Sequence, residues 1–247
     1  MTAPSEGPRH SRSARSPNAR SLRALGTRIT QALADLSAGG GWTYQLAPSL
    51  RRSLRWFWFD GVFAASSDTI LASYLNLFVL ALGGTRGQLG LTSSLSNLSA
   101  ALLVLPGGAL VERLGHHKRF VVVNSLIARA MLLCMALLPL FLSGSNAILG
   151  VIVLAVAYSA FANISVPAWT PLTANLVPLA WRGRYFSARN MAMVISGMLT
   201  TYAAGWLITA LGVPHGYQIA IAAAFAIGLA ALSLIHISEP TRLLSIS

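Results

Sequence analysis

The chain has 247 residues, of which 55% are hydrophobic and only 10% charged, with a mean hydropathy of +0.63. A soluble domain carries about 25% charged residues, so an ordinary water-soluble globule is excluded. The net charge of +12 does not mark a nucleic-acid binder either, because the basic residues alternate with apolar runs instead of forming one patch.

Residues 1–50 read as a basic tail on the cytosolic side of a membrane. The first 20 are rich in Ser, Arg and Pro, nearly free of acids and without large apolar residues, a composition that cannot bury a core and reads as disordered. An acid-poor, Arg/Ser-rich start also looks like an organellar transit peptide; a cytosolic tail near acidic lipids is the reading adopted. Leu22, Leu25, Ile29, Leu33 and Leu36 then recur at helical spacing, with Arg23 and Arg28 on the other face. That pattern predicts an amphipathic helix on the inner leaflet, ended by Gly39, Gly40 and Gly41. Arg51, Arg52 and Arg55 before Trp56, Trp58 and Phe59 read as an interfacial anchor at the mouth of the first span.

A membrane-spanning helix needs about 18–20 mostly apolar residues. Between Arg129 and Arg182 lie 52 residues without Asp, Glu, Lys or Arg, and between Arg189 and Glu239 lie 49, so each gap holds two spans. The predicted spans are 56–82, 87–111, 120–142, 147–171, 187–211 and 216–235, all helical, making residues 51–231 a six-helix transmembrane unit. Short Gly-rich turns at 83–85, 143–146 and 212–216 predict that consecutive helices are antiparallel neighbours. Small residues in helix 2 (Gly87, Gly90, Ser94, Gly107) and at four-residue intervals in helix 5 (Gly197, Thr201, Gly205) predict close packing of those two helices. Pro167 and Pro171 predict a kink near the inner end of helix 4. The one cysteine, Cys134, excludes an intrachain disulfide and is expected to be a small buried apolar residue; no Cys/His spacing suggests a metal site, and no cofactor is expected.

Nine of the eighteen Lys and Arg residues precede the first span; Arg113, Lys118 and Arg119 lie in the second connection, and Arg182, Arg184 and Arg189 around the fourth. The connections of opposite parity hold only Arg86. Because basic loops are retained in the cytosol, this asymmetry puts the amino terminus and the even connections inside, with a bacterial inner membrane as the expected location.

The second connection reads Gly107-Gly108-Ala109-Leu110-Val111-Glu112-Arg113-Leu114-Gly115-His116-His117-Lys118-Arg119. It resembles the loop between helices 2 and 3 of the major facilitator superfamily of secondary transporters, with Gly108, Glu112, Arg113, Gly115, Lys118 and Arg119 in the motif positions. Glu112 replaces the commoner Asp, and the two histidines push the basic pair later. Val177 to Asn190, with Pro178, Arg182, Gly183 and Arg184, is similar to the connection between helices 4 and 5 of many such transporters. The resemblance spans about residues 54–231. It implies an all-α half-transporter of two inverted three-helix repeats, with a second six-helix half missing, and an inner charge clamp at Glu112 and Arg113 that stabilises an outward-open state. Leu232 to Arg242 resembles the translation of a transposon adapter used in DNA library preparation, which makes residues 232–247 a non-native tail.

Ionisable groups inside spans are costly, about 2.5–3.5 kcal/mol on insertion scales, so they face a cavity or a partner. Asp68 lies about 18 Å along helix 1 from Trp56 and is the leading candidate to carry a coupling ion or substrate. Arg129, at comparable depth in helix 3, is its expected partner, with a structural role as the first reading; Asn163 is the most central uncharged candidate. Asp60, about one turn inside helix 1, is expected to reach the interface as an anchor. Asn76, Asn97 and Asn190, and the aromatic Tyr158, Trp169 and Tyr202, read first as packing residues. The function these features imply is secondary transport of a small solute by alternating access, with a proton among the ions it could couple. The Gly-Pro pair of drug antiporters is absent around Gly205 and Trp206. The alternatives are a non-transporting scaffold or receptor on the same fold, a channel, or a membrane-embedded enzyme. No nucleophile elbow, zincin helix or nucleotide loop supports the last, and no re-entrant filter segment supports a channel.

Overall fold

The computed structural model describes residues 46–114, 117–168 and 177–237. They form six helices long and apolar enough to cross a membrane, and no strand occurs among the described residues. The helices are α1 (Pro48–Ala81), α2 (Arg86–Leu114), α3 (His117–Phe141), α4 (Gly144–Ile164), α5 (Arg182–Leu211) and α6 (His215–Ile237). Apolar composition over such lengths leaves little choice, since only intrahelical hydrogen bonds satisfy a backbone inside lipid. The chain is an all-α membrane protein. The amphipathic segment at 22–36, Trp169, Pro171, Gly115 and the tail beyond 237 lie outside the described residues.

α1 starts earlier than expected. Pro48 occupies the first turn, where its missing N–H costs nothing, and Arg51, Arg52 and Arg55 lie on the helix itself. At 34 residues α1 is about 51 Å long, well beyond a hydrocarbon core of about 30 Å. Its first turns pack outside that core, where Leu54 and Phe57 are buried with Val177 and Tyr185 of the α4–α5 connection and α5. The fourth span is interrupted at Ser165, where α4 ends in a turn, and helical backbone resumes at 166–168. Pro167 accounts for the break expected near this end, because it has no N–H to offer the carbonyl one turn back. Gly83 (φ +92°) and Gly212 (φ +74°) follow the ends of α1 and α5 in the left-handed conformation that glycine adopts without strain.

Of the helices adjacent in sequence, only α3 and α4 share one of the large interfaces, as the short turn between them predicts. α1 packs most extensively on α6 and α5, α2 on α4, and α3 on α4 and α6, whereas α1–α2 and α2–α3 barely touch. Short turns limit how far apart two helix ends lie and leave open which partner takes the large interface. The expected α2–α5 packing is likewise replaced by other pairs. On α5, Gly197 lies against Thr69 and Gly205 against Tyr74, both of α1, while Gly107 of α2 lies against the backbone of Ile164 at the end of α4. Ser159 of α4 donates to the Ser96 carbonyl of α2 at 3.0 Å, which ties the second pair. Cys134 is exposed on the outer surface of α3, not buried.

The core is lopsided. Ile70, Leu71 and Phe78 of α1 pack with Leu132 and Met135 of α3, Val151 of α4 and Ile221 of α6 in one apolar cluster. These residues occupy the ends of the helices away from the basic connections. The other half of the bundle is looser and holds a cleft.

Candidate functional site

Phe57, Asp60, Ala64 and Asp68 recur at three- and four-residue intervals and so share one face of α1. Together with residues of α3, α4, α5 and α6 that face lines a cleft of about 510 Å³, a size that suits a small organic ligand. Alanines at 64, 128 and 162 provide the space. The cleft lies in the half of the bundle toward the α2–α3 and α4–α5 connections, and its floor is Asp68, two residues before Ile70 of the apolar cluster.

Four helices converge on that floor. Arg129 of α3 donates from Nη1 to Asp68 Oδ1 at 2.7 Å and to Ser67 Oγ at 2.8 Å. Ser67 passes its own proton to the Ala224 carbonyl of α6 at 2.6 Å, and Tyr158 of α4 donates its hydroxyl to Asp68 Oδ1 at 2.8 Å. The Arg129 stem crosses Gly228 of α6, where a Cβ would lie 2.5 Å from Cδ and Nε. The long Arg129 side chain thus reaches across to α1 because a glycine clears its path. The side chains of the pair are unequally buried, 10% exposed for Arg129 and 53% for Asp68.

A second pair stands about 12 Å nearer the helix start. Asp60 is buried beside Arg189 of α5, with Nη2 and Oδ2 3.9 Å apart. It does not reach the interface as expected. Arg189 donates from Nε to the Phe57 carbonyl at 3.3 Å and stacks on the Phe57 ring at 4.3 Å, a favourable cation–π geometry. It also rests directly on Gly61. Tyr185, one turn earlier on α5, donates to the Leu54 carbonyl at 2.7 Å and fixes the same crossing.

The structure thus brings Asp68, Arg129 and Asn163 into one cleft. Asn163 bonds back to the Ser159 carbonyl at 2.7 Å, within its own helix. Gly108, Glu112 and Arg113 stand apart, at the end of α2, with Gly108 against Pro167 and the two charged residues exposed. Lys118 and Arg119 open α3, with Arg119 exposed. In the second basic segment Arg182 donates to the Val177 carbonyl at 3.0 Å and Arg184 sits over the Trp181 ring at 5.4 Å, with Gly183 between them. Asn76, Asn97, Asn190 and Tyr202 are exposed away from the cleft.

Sequence reasoning missed Arg189 and the hydroxyl role of Tyr158. Arg189 reads as one more basic loop residue beside Arg182 and Arg184, yet it lies about 10 Å into α5 by helical rise. That depth was the available signal. For Tyr158 no signal existed beyond its place in the same span as Asn163.

Chemically, the cleft offers one water-accessible carboxylate held by a buried guanidinium and a phenol. The family model described as Major Facilitator Superfamily matches residues 57–246. No curated protein and no solved structure matches the chain.

Proposed function

Because the chain belongs to the Major Facilitator Superfamily, a family of membrane transporters, we propose that it moves a small solute by alternating access around the cleft floored by Asp68. In this reading the six helices are the amino-terminal half of a permease in a bacterial inner membrane. The amino terminus is cytoplasmic, and a second six-helix half completes the cavity. In the same reading residues 232–247 are adapter-derived, and Leu232, which lines the cleft, stands in for the native residue there.

One observation carries the reading: a single half-exposed carboxylate receives donors from α3 and α4 while riding on α1. Movement of α1 against α3 or α4 would change its bonds, and so its affinity for a proton or solute, which is what coupling requires. The basic connections support the inward side for the cleft. Glu112 and Arg113, outside the cleft, suit a conformational clamp better than a solute contact.

The test is flux. Protein expressed from the uninterrupted reading frame past Ala231 and reconstituted in proteoliposomes should take up solute with a proton gradient, and Asp68→Asn should uncouple the two. Coupling unchanged by Asp68→Asn would remove the carboxylate from the site. A reading frame that genuinely stops near Ala231 would remove the second half.

A further inference from the structure

Two carboxylates and two guanidiniums line the cleft, but they are not equally available. Asp60, Arg129 and Arg189 are 4%, 10% and 13% exposed in their side chains, against 53% for Asp68. A ligand entering the cleft therefore meets one charge, and it is negative. Both donors on Asp68, Arg129 Nη1 and the Tyr158 hydroxyl, fall on Oδ1. Among the described residues no donor reaches Oδ2, so that oxygen keeps its acceptor capacity toward the cavity. The cleft is otherwise lined by aromatic and small side chains, with Tyr158 on Asp68, Ala64 and Ala162 between, and Phe186 at the far end beside Tyr185. Phe57 is already covered by the Arg189 guanidinium, which leaves Tyr158 and Phe186 to receive a ligand's apolar body or flank its cation.

We infer that the cleft takes an organic ammonium ion with an apolar body, its N–H donating to Asp68 Oδ2 while the body lies against Tyr158 and extends along the cleft toward Phe186. The inference rests on the transport reading of this cleft and names its substrate class. An anion fits worse. It would have to pass an exposed carboxylate to reach an arginine that is only 10% exposed and already gives Nη1 to Ser67 and Asp68. A neutral solute without a donor would leave the Oδ2 lone pairs facing apolar matter, which costs free energy, and a neutral hydroxyl would give a weaker bond than a charged N–H.

The experiment compares three probes of nearly one shape, 2-phenylethylamine (an ammonium at neutral pH), 2-phenylethanol and 3-phenylpropanoate. Equilibrium binding to the full chain in lipid nanodiscs is measured for each. The ammonium should bind about tenfold or more tighter than the other two, the worth of one charge-assisted hydrogen bond. Asp68→Asn should erase that preference and leave the alcohol unchanged. Tighter binding of the carboxylate, or an ammonium preference that survives Asp68→Asn, overturns the inference. If Asp68→Asn fails to fold, Ala162→Leu, which fills the cleft without touching a charge, should abolish ammonium binding, and unchanged binding overturns the inference instead. Counterflow with protein from the uninterrupted reading frame separates the two readings. Charge-selective binding without amine counterflow keeps the ligand class and removes transport. Counterflow of the carboxylate but not the amine keeps transport and removes the ligand class.

Discussion

Arg129 gives one nitrogen, Nη1, to two acceptors on α1: Ser67 Oγ at 2.8 Å and Asp68 Oδ1 at 2.7 Å. The bond is one-sided, because the cation is buried and the acid half-exposed. Losing the acid strands a buried charge, whereas losing the cation frees a carboxylate that already meets the cleft. Asp68→Ala should therefore destabilise by about 3 kcal/mol, the low end for breaking a buried pair. Asp68→Asn, which keeps an acceptor oxygen, should lose about 1 kcal/mol. Denaturant unfolding in detergent micelles reads both. Equal losses for the two variants would mean that Arg129 does not depend on an oxygen at that position.

Gly228 is the second support of the same arginine. A Cβ there would lie 2.5 Å from Cδ and Nε of a side chain pinned at its far end by two hydrogen bonds. The stem cannot swing aside without giving up those bonds. Gly228→Ala should destabilise by about 1–3 kcal/mol. The loss should shrink when Asp68→Asn is already present, because the bond it breaks is then weaker. A double-mutant cycle measures this coupling, and strict additivity would place the effect of Gly228 elsewhere.

Glu112 and Arg113 are exposed at the end of α2, outside the cleft. A clamp between connections acts on the balance of conformations and not on the ligand contacts. Glu112→Gln should leave probe affinity within about twofold but change the labelling rate of cysteines placed in the inner connections by about threefold or more. Cys134 is exposed and must first be replaced by serine so that it does not report instead. Equal labelling rates before and after the change would remove the clamp.

How much of this was legible beforehand differs by level. The six helices follow from charge-free gaps, because apolar runs of about 20 residues fit a spanning helix and not the short alternating strands of a barrel. Equal depth in two spans suffices to suggest the Asp68–Arg129 pair, since a buried charge needs a partner and few are on offer. The order of packing was not legible, and the reason is local. Gly197 and Gly205 announce that something comes close to α5, but small residues accept any neighbour, and the neighbour proved to be α1 through Thr69 and Tyr74. Tyr158 was hidden for a related reason: an aromatic residue in a span packs or donates according to its rotamer, which spacing does not encode. Arg189 was hidden by its company, two arginines in the first turn of α5 within seven residues of it.

The contact between Tyr74 and Gly205 gives the sharpest test of the α1–α5 interface. Tyr74 donates its hydroxyl to the Thr201 carbonyl at 2.8 Å, and a Cβ at 205 would lie 2.5 Å from that same oxygen but 3.6 Å from the ring carbon that bears it. The clash is therefore with one atom. Gly205→Ala should force the hydroxyl off Thr201 and destabilise by about 1–3 kcal/mol through overpacking. Tyr74→Phe alone should lose about 1 kcal/mol, the worth of one hydrogen bond. Combined, the two changes should be milder than their sum, because removing the hydroxyl leaves the new methyl in ordinary van der Waals contact with the ring. Alanine also favours the helix over glycine by about 1 kcal/mol, which offsets part of the lost bond. Thermal unfolding of the two single variants and the double variant decides the matter. If the double variant is as unstable as the sum of the singles, α5 does not approach α1 at Tyr74, and the helix order around the cleft is wrong.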